Sequence, residues 1–158
     1  MKESIEYFVD GYPTAMPSKA LRQAVKTSLS LLDNLRKDLG LNKVRVHYTA
    51  DIDGDGCACY CAGSQDWPVI VLNVSSFNTP DDIERGVEST LAHEFCHAYL
   101  ETVGMDCFDY EHPEDEIEDL ARRYCDGLIA GEDVAAELDR LADAAYSLRD
   151  SILEASIT

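Results

Sequence analysis

The sequence predicts a mixed α+β domain, and three patterns carry that prediction. Over residues 18–39, 80–104 and beyond 113, apolar residues recur every three or four positions, as they do in helices buried along one side. Over residues 44–74 they alternate with polar ones or gather in short runs between glycine-rich turns, as they do in strands. At 158 residues the chain is also long enough to bury a core without disulfides, so residues 1–158 are expected to form a single domain. The expected layout is a short antiparallel meander of about three strands packed against an N-terminal helix and a second, central helix, with two further C-terminal helices.

Residues 1–17 are short and mixed, with Gly11, Pro13 and Pro17 breaking any long helix. Ser18 is a suitable N-cap for a helix running to Leu39 and closed by Gly40, striped by Leu21, Val25, Leu29, Leu32, Leu35 and Leu39. Val44, Val46 and Tyr48 then alternate with Arg45, His47 and Thr49, which predicts a half-buried strand with His47 on its exposed face. Asp51-Ile52-Asp53-Gly54-Asp55-Gly56 copies the opening of an EF-hand loop. Ala62 stands where such a loop needs a bidentate glutamate, however, and helical flanks are absent, so a hairpin turn is expected instead. Cys57, Cys59 and Cys61 alternate at strand spacing, unlike a CxxC metal or redox pair, and read as small apolar side chains. Pro68 opens a third strand, Val69 to Val74.

Thr79 as N-cap, Pro80 in the first turn and Asp81 and Asp82 beside it announce the central helix, which should run to Gly104. Its apolar stripe is Ile83, Val87, Leu91, Phe95 and Ala98. After a loop to His112, Pro113 should begin a helix striped by Ile117, Leu120, Ala121, Tyr124 and Leu128 and ending at Gly131. A last helix, about residues 133–155, is expected to bury Val134, Leu138, Leu141, Ala145, Leu148 and Ile152 as a supporting layer.

The formal net charge of −18 is unevenly spread: residues 101–158 hold 17 acids and 4 bases, against 14 and 9 in residues 1–100. Such a field disfavours nucleic acid and favours solubility or basic partners. No apolar run has membrane-spanning length and the N-terminus has no signal-peptide core, so a cytoplasmic location with no membrane partner is expected. The six cysteines are then expected to be reduced.

Chemistry concentrates in His93-Glu94-Phe95-Cys96-His97, an HExxH sequence inside the central helix. Histidines four apart lie about 40° from each other on a helix, so their ring nitrogens can share one zinc ion. The glutamate after the first ligand is placed to act as general base toward a zinc-bound water. His93 and His97 sit just beside the apolar stripe of a well-capped helix, which favours this reading over a chance match. Catalytic zinc takes three protein ligands and one water. Leu100 replaces the glycine of the extended HExxHxxGxxH motif, which leaves His112 or an acid of Glu114-Asp115-Glu116-Ile117-Glu118-Asp119 as the third ligand. Acids there also suit a helix N-terminus whatever else they do.

HEFCHA, preceded by strands and followed by a helix with acids at its start, resembles the gluzincin metallopeptidases, most of all the compact ImmA/IrrE-type and phage-encoded members. The resemblance covers residues 68–125 and implies a zincin-like fold, a Zn2+ cofactor and a glutamate third ligand from a motif of the form E-A-N-x-F-A. Glu116-Ile117-Glu118-Asp119-Leu120-Ala121 aligns with that motif and implies Glu116 as the ligand, with Ile117 and Glu118 in place of the small residue and the asparagine. The SprT-like proteases are a rival resemblance and would instead use His112. Here Pro113-Glu114-Asp115-Glu116 follows that histidine where glycine is usual, and the acidic chain is unlike their basic surfaces.

The expected function is hydrolysis of a peptide bond in a peptide or protein substrate, with His93, His97 and Glu116 on zinc, Glu94 as base and Tyr110 or His112 as a candidate oxyanion donor. An extended substrate would add as a strand to residues 69–74. The alternative, from a different class, is a non-catalytic acidic binding protein, a DNA mimic or partner inhibitor, with a structural zinc.

Overall fold

A strand at the start of the chain sets the direction of the sheet. In the computed structural model, which describes residues 4–8, 17–41, 44–49, 57–60, 69–77, 79–105 and 110–157, β1 (Ser4–Phe8) pairs in parallel with β2 (Arg45–Thr49). Parallel neighbours need a crossover, supplied here by α1 (Lys19–Leu31) and α2 (Asp33–Asp38). The Ser18 hydroxyl caps α1 by accepting from the Leu21 N–H at 3.0 Å, as expected of that residue. The single predicted helix is broken at Leu32, whose backbone leaves helical geometry at φ −92° and ψ 5°. Leu29, Leu32, Leu35 and Leu39 are all buried across the break. Arg36 pins the turn, bonding Asp33 Oδ1 at 2.9 Å and the Leu41 carbonyl at 2.6 Å.

β2 also pairs in parallel with β4 (Val69–Asn73), and β3 (Cys57–Tyr60) lies antiparallel on the far side of β4. The strand order β1-β2-β4-β3 replaces the predicted antiparallel meander. Alternation reports which residues share a face of a strand but says nothing about its neighbours. Two expectations fall with the meander. β4 has β2 and β3 on its two edges, so residues 69–73 offer no edge to an added strand. His47 is 8% exposed, in a strand with a neighbour on each side, and so is not the exposed histidine expected. Cys57 and Cys59 pair with Leu72 and Ile70 in the register, in keeping with strand spacing. The acidic turn at residues 51–56 lies outside the described residues.

From β4 the chain swings through a 3₁₀ turn, Val74–Ser76, capped by Asn73 Oδ1 accepting from the Ser75 N–H at 3.0 Å. It then enters α3 (Pro80–Thr102), where Thr79 caps Asp82 at 3.1 Å. Val87, Leu91, Phe95 and Ala98 are buried as predicted, and so are Ala92, Glu94, Cys96 and Leu100. α3 is enclosed on several sides because α1, β3, α4 (Glu114–Cys125) and α5 (Gly131–Ile157) all pack on it. α4 ends six residues before the predicted Gly131. Gly127, at φ 74°, terminates it with the Leu128 N–H bonded to the Arg123 carbonyl, leaving Leu128 exposed. The whole is a mixed, mostly helical architecture, and no helix of the described residues is long and apolar enough to cross a membrane.

Candidate metal centre

α3 supplies two histidines and α4 lays its first turn across them. His93 Nε2 and His97 Nε2 are 3.1 Å apart, and Glu114 Oε2 is 3.1 Å from each, so three ligand atoms form a near-equilateral triangle. A tetrahedral zinc with bonds of about 2.0–2.1 Å sets its ligand atoms roughly 3.3–3.4 Å apart. The triangle is therefore within a few tenths of an ångström of the required size, and its two imidazole nitrogens and one carboxylate oxygen suit a borderline cation. These three residues could hold a metal ion.

Proton positions sharpen the fit. Both ring nitrogens of His93 face carboxylate oxygens, Nδ1 the Glu118 Oε2 at 2.9 Å and Nε2 the Glu114 Oε2 at 3.1 Å. A carboxylate only accepts, so a metal taking Nε2 would leave the proton of a neutral His93 on Nδ1, donated to Glu118. Glu118 is steadied in turn by Arg122, 3.2 Å from its other oxygen. Burial holds the His97 imidazole below the ordinary histidine range, against the opposing pull of the Glu114 carboxylate, and so favours the neutral ring that a metal needs. Glu94 is buried, 5% exposed, and burial followed by repulsion from Glu114 pushes its carboxyl up to about 8. A cation beside it would act in the opposite direction.

The third residue of the group is Glu114, and Glu116 is not part of it. Two residues along a helix is a rotation of about 200°, so Glu116 faces outward while Glu114 and Glu118, four apart, share the side toward α3. The available signal was geometric: an i,i+4 pair of histidines on one helix matched by an i,i+4 pair of glutamates on the next. His112 is buried and both its nitrogens are engaged, Nδ1 with His97 Nδ1 at 2.7 Å and Nε2 with the Met105 carbonyl at 2.6 Å. It is not one of the three residues whose ligand atoms converge. Tyr110 packs on α5, edge-on to the Tyr146 ring at 5.2 Å and beneath the Arg149 guanidinium at 4.9 Å. Comparison with protein-family models, with characterised proteins and with solved structures returns no match. The geometry of the centre therefore carries the functional reading.

Proposed function

We propose that the chain is a zinc-dependent peptidase of zincin-like, gluzincin type, acting on a peptide or protein substrate. The observation that carries this reading is the convergence of His93 Nε2, His97 Nε2 and Glu114 Oε2 at 3.1 Å from one another, with the buried Glu94 alongside. Three protein donors leave a tetrahedral ion one open position, whereas a structural zinc takes four protein ligands. Among the described residues three donors converge, and that count favours this proposal over an acidic binder with a structural zinc.

Zinc, when bound, lowers the pKa of a water and polarises the scissile carbonyl. The chain supplies the rest. Glu94, next to His93 in a largely water-free position, takes the proton of the attacking water and returns it to the leaving amine nitrogen. Glu118 keeps His93 in the tautomer that presents Nε2. Since β4 is flanked on both sides, an extended substrate would align on β3, which stands at that end of the sheet among the described residues.

Zinc per chain in protein prepared without chelators tests the centre. Wild type and Glu116→Ala should each hold one zinc, and Glu114→Ala should lose most of it. Retention in Glu114→Ala with loss in Glu116→Ala would return the third ligand to Glu116, and an empty wild type after zinc is added back would end the peptidase proposal.

A further inference from the structure

Both nitrogens of His112 are committed to partners on the C-terminal end of α3, although His112 itself leads into α4. The Met105 carbonyl accepts only, so the 2.6 Å contact requires a proton on His112 Nε2. A neutral imidazole carries one N–H, and His112 Nδ1 is then a bare acceptor. Its 2.7 Å contact with His97 Nδ1 must be donated by His97. Glu114 Oε2, 3.1 Å from His97 Nε2, competes for the same single proton; with that proton on Nδ1, His97 Nε2 is free to take a metal beside Glu114 and His93.

We propose that His112 is a positioning residue for the metal centre: through a relay from the Met105 carbonyl it fixes the tautomer and ring orientation of His97, as Glu118 does for His93. The proposal rests on the metal-centre reading above. The rings of His97 and His112 lie nearly parallel, 17° apart with centroids at 5.0 Å, so His112 also limits rotation of the ligand ring. The anchor is itself held. The Met105 N–H bonds the Leu100 carbonyl at 2.9 Å, and the Met105 side chain is buried, so its carbonyl, just past the end of α3, is fixed relative to His97 within that helix. One ligand histidine is thus oriented by a carboxylate and the other by a second imidazole, and only the first arrangement adds a negative charge beside the metal.

Nitrogen-15 histidine spectra of the metal-free wild type, at mildly alkaline pH, read the relay directly. The expected pattern is a proton on Nε2 of His112 and on Nδ1 of His97, and the opposite tautomer at His112 would overturn the proposal. Zinc affinity, by competition with a chromogenic chelator, reads its consequence. His112→Phe keeps a ring but offers no acceptor and should weaken zinc about 10- to 100-fold. His112→Gln, with an amide oxygen for His97 and an amide N–H for Met105, should recover part of that loss. Wild-type affinity in a folded His112→Phe would overturn the proposal, and if that variant does not fold, the spectra and His112→Gln decide it. A wild type that binds no zinc would defeat the metal centre itself, and the spectra would still judge the relay.

Discussion

Along α4 the apolar positions Ile117, Leu120 and Ala121 are buried, and the polar residues one turn apart on the adjoining side, Glu114 and Glu118, meet histidines of α3. Along α5 the same kind of periodicity begins in the core with Val134, Leu138 and Ala142 and then runs out of neighbours: Leu148 is 64% and Ile152 60% exposed. The sequence spacing is equally regular in both helices. A period states which residues share a face; whether another element covers that face depends on where the chain ends up in space. In α4 the covering element is α3, so even charged residues acquire specific partners. α5 is tied down by Tyr99 to Asp139 at 2.5 Å, by the Tyr146 hydroxyl to the Val103 carbonyl at 2.5 Å and by Arg149 over the Tyr110 ring, while the apolar side chains of Leu148 and Ile152 stay exposed.

The largest test of the α3–α4 side is Glu94→Gln. It should lower peptide hydrolysis about 10²- to 10⁴-fold, the range general-base catalysis supplies, while zinc content stays at the wild-type level. Unchanged turnover of a fluorogenic peptide library by this variant would remove Glu94 from the chemistry.

The comparison itself is measured on α5. Leu138→Ala empties a fully buried site and should cost about 2–5 kcal/mol in urea unfolding, whereas Leu148→Ala should stay within roughly 0.5 kcal/mol of wild type. Equal losses would mean that something covers the far end of α5 in solution.

Gly104 closes α3 at φ 90°, and a Cβ there would meet the Tyr146 hydroxyl at 3.1 Å. Gly104→Ala should therefore lose about 1–2 kcal/mol from backbone strain alone and lower the melting temperature. The smallest effect concerns Cys96, a free buried thiol that burial pushes up to about 12. Its folded pKa lies above the unfolded value, so its contribution to stability is whole below about pH 8.5 and declines as pH rises toward 12. Cys96→Ala should make that alkaline decline shallower, and Cys96 in the native protein should resist thiol reagents that label it after unfolding.

Local chemistry made much of this molecule readable from its residues. Ser18 and Thr79 cap the helices they were expected to cap, because a cap needs only its own hydroxyl and an N–H three residues on. Gly40 and Gly104 sit at positive φ just past helices for a similarly local reason. The meeting of His93 and His97 follows from helical pitch alone. What lay between elements was not readable. β1 was hidden in a short mixed stretch, and the parallel place of β4 between β2 and β3 depends on a crossover that alternation does not encode. The third residue of the centre turned on the phase and height at which α4 meets α3, which is set by packing of Ile117, Leu120 and Ala121 and not by any property of the acids themselves. Sequence alone determined the two histidines, the glutamate between them and the helix that carries them, since those relations are fixed within a few residues. Only the tertiary structure decided that Glu114 and not Glu116 faces them, and that His112 stands behind His97, because those are distances between helices.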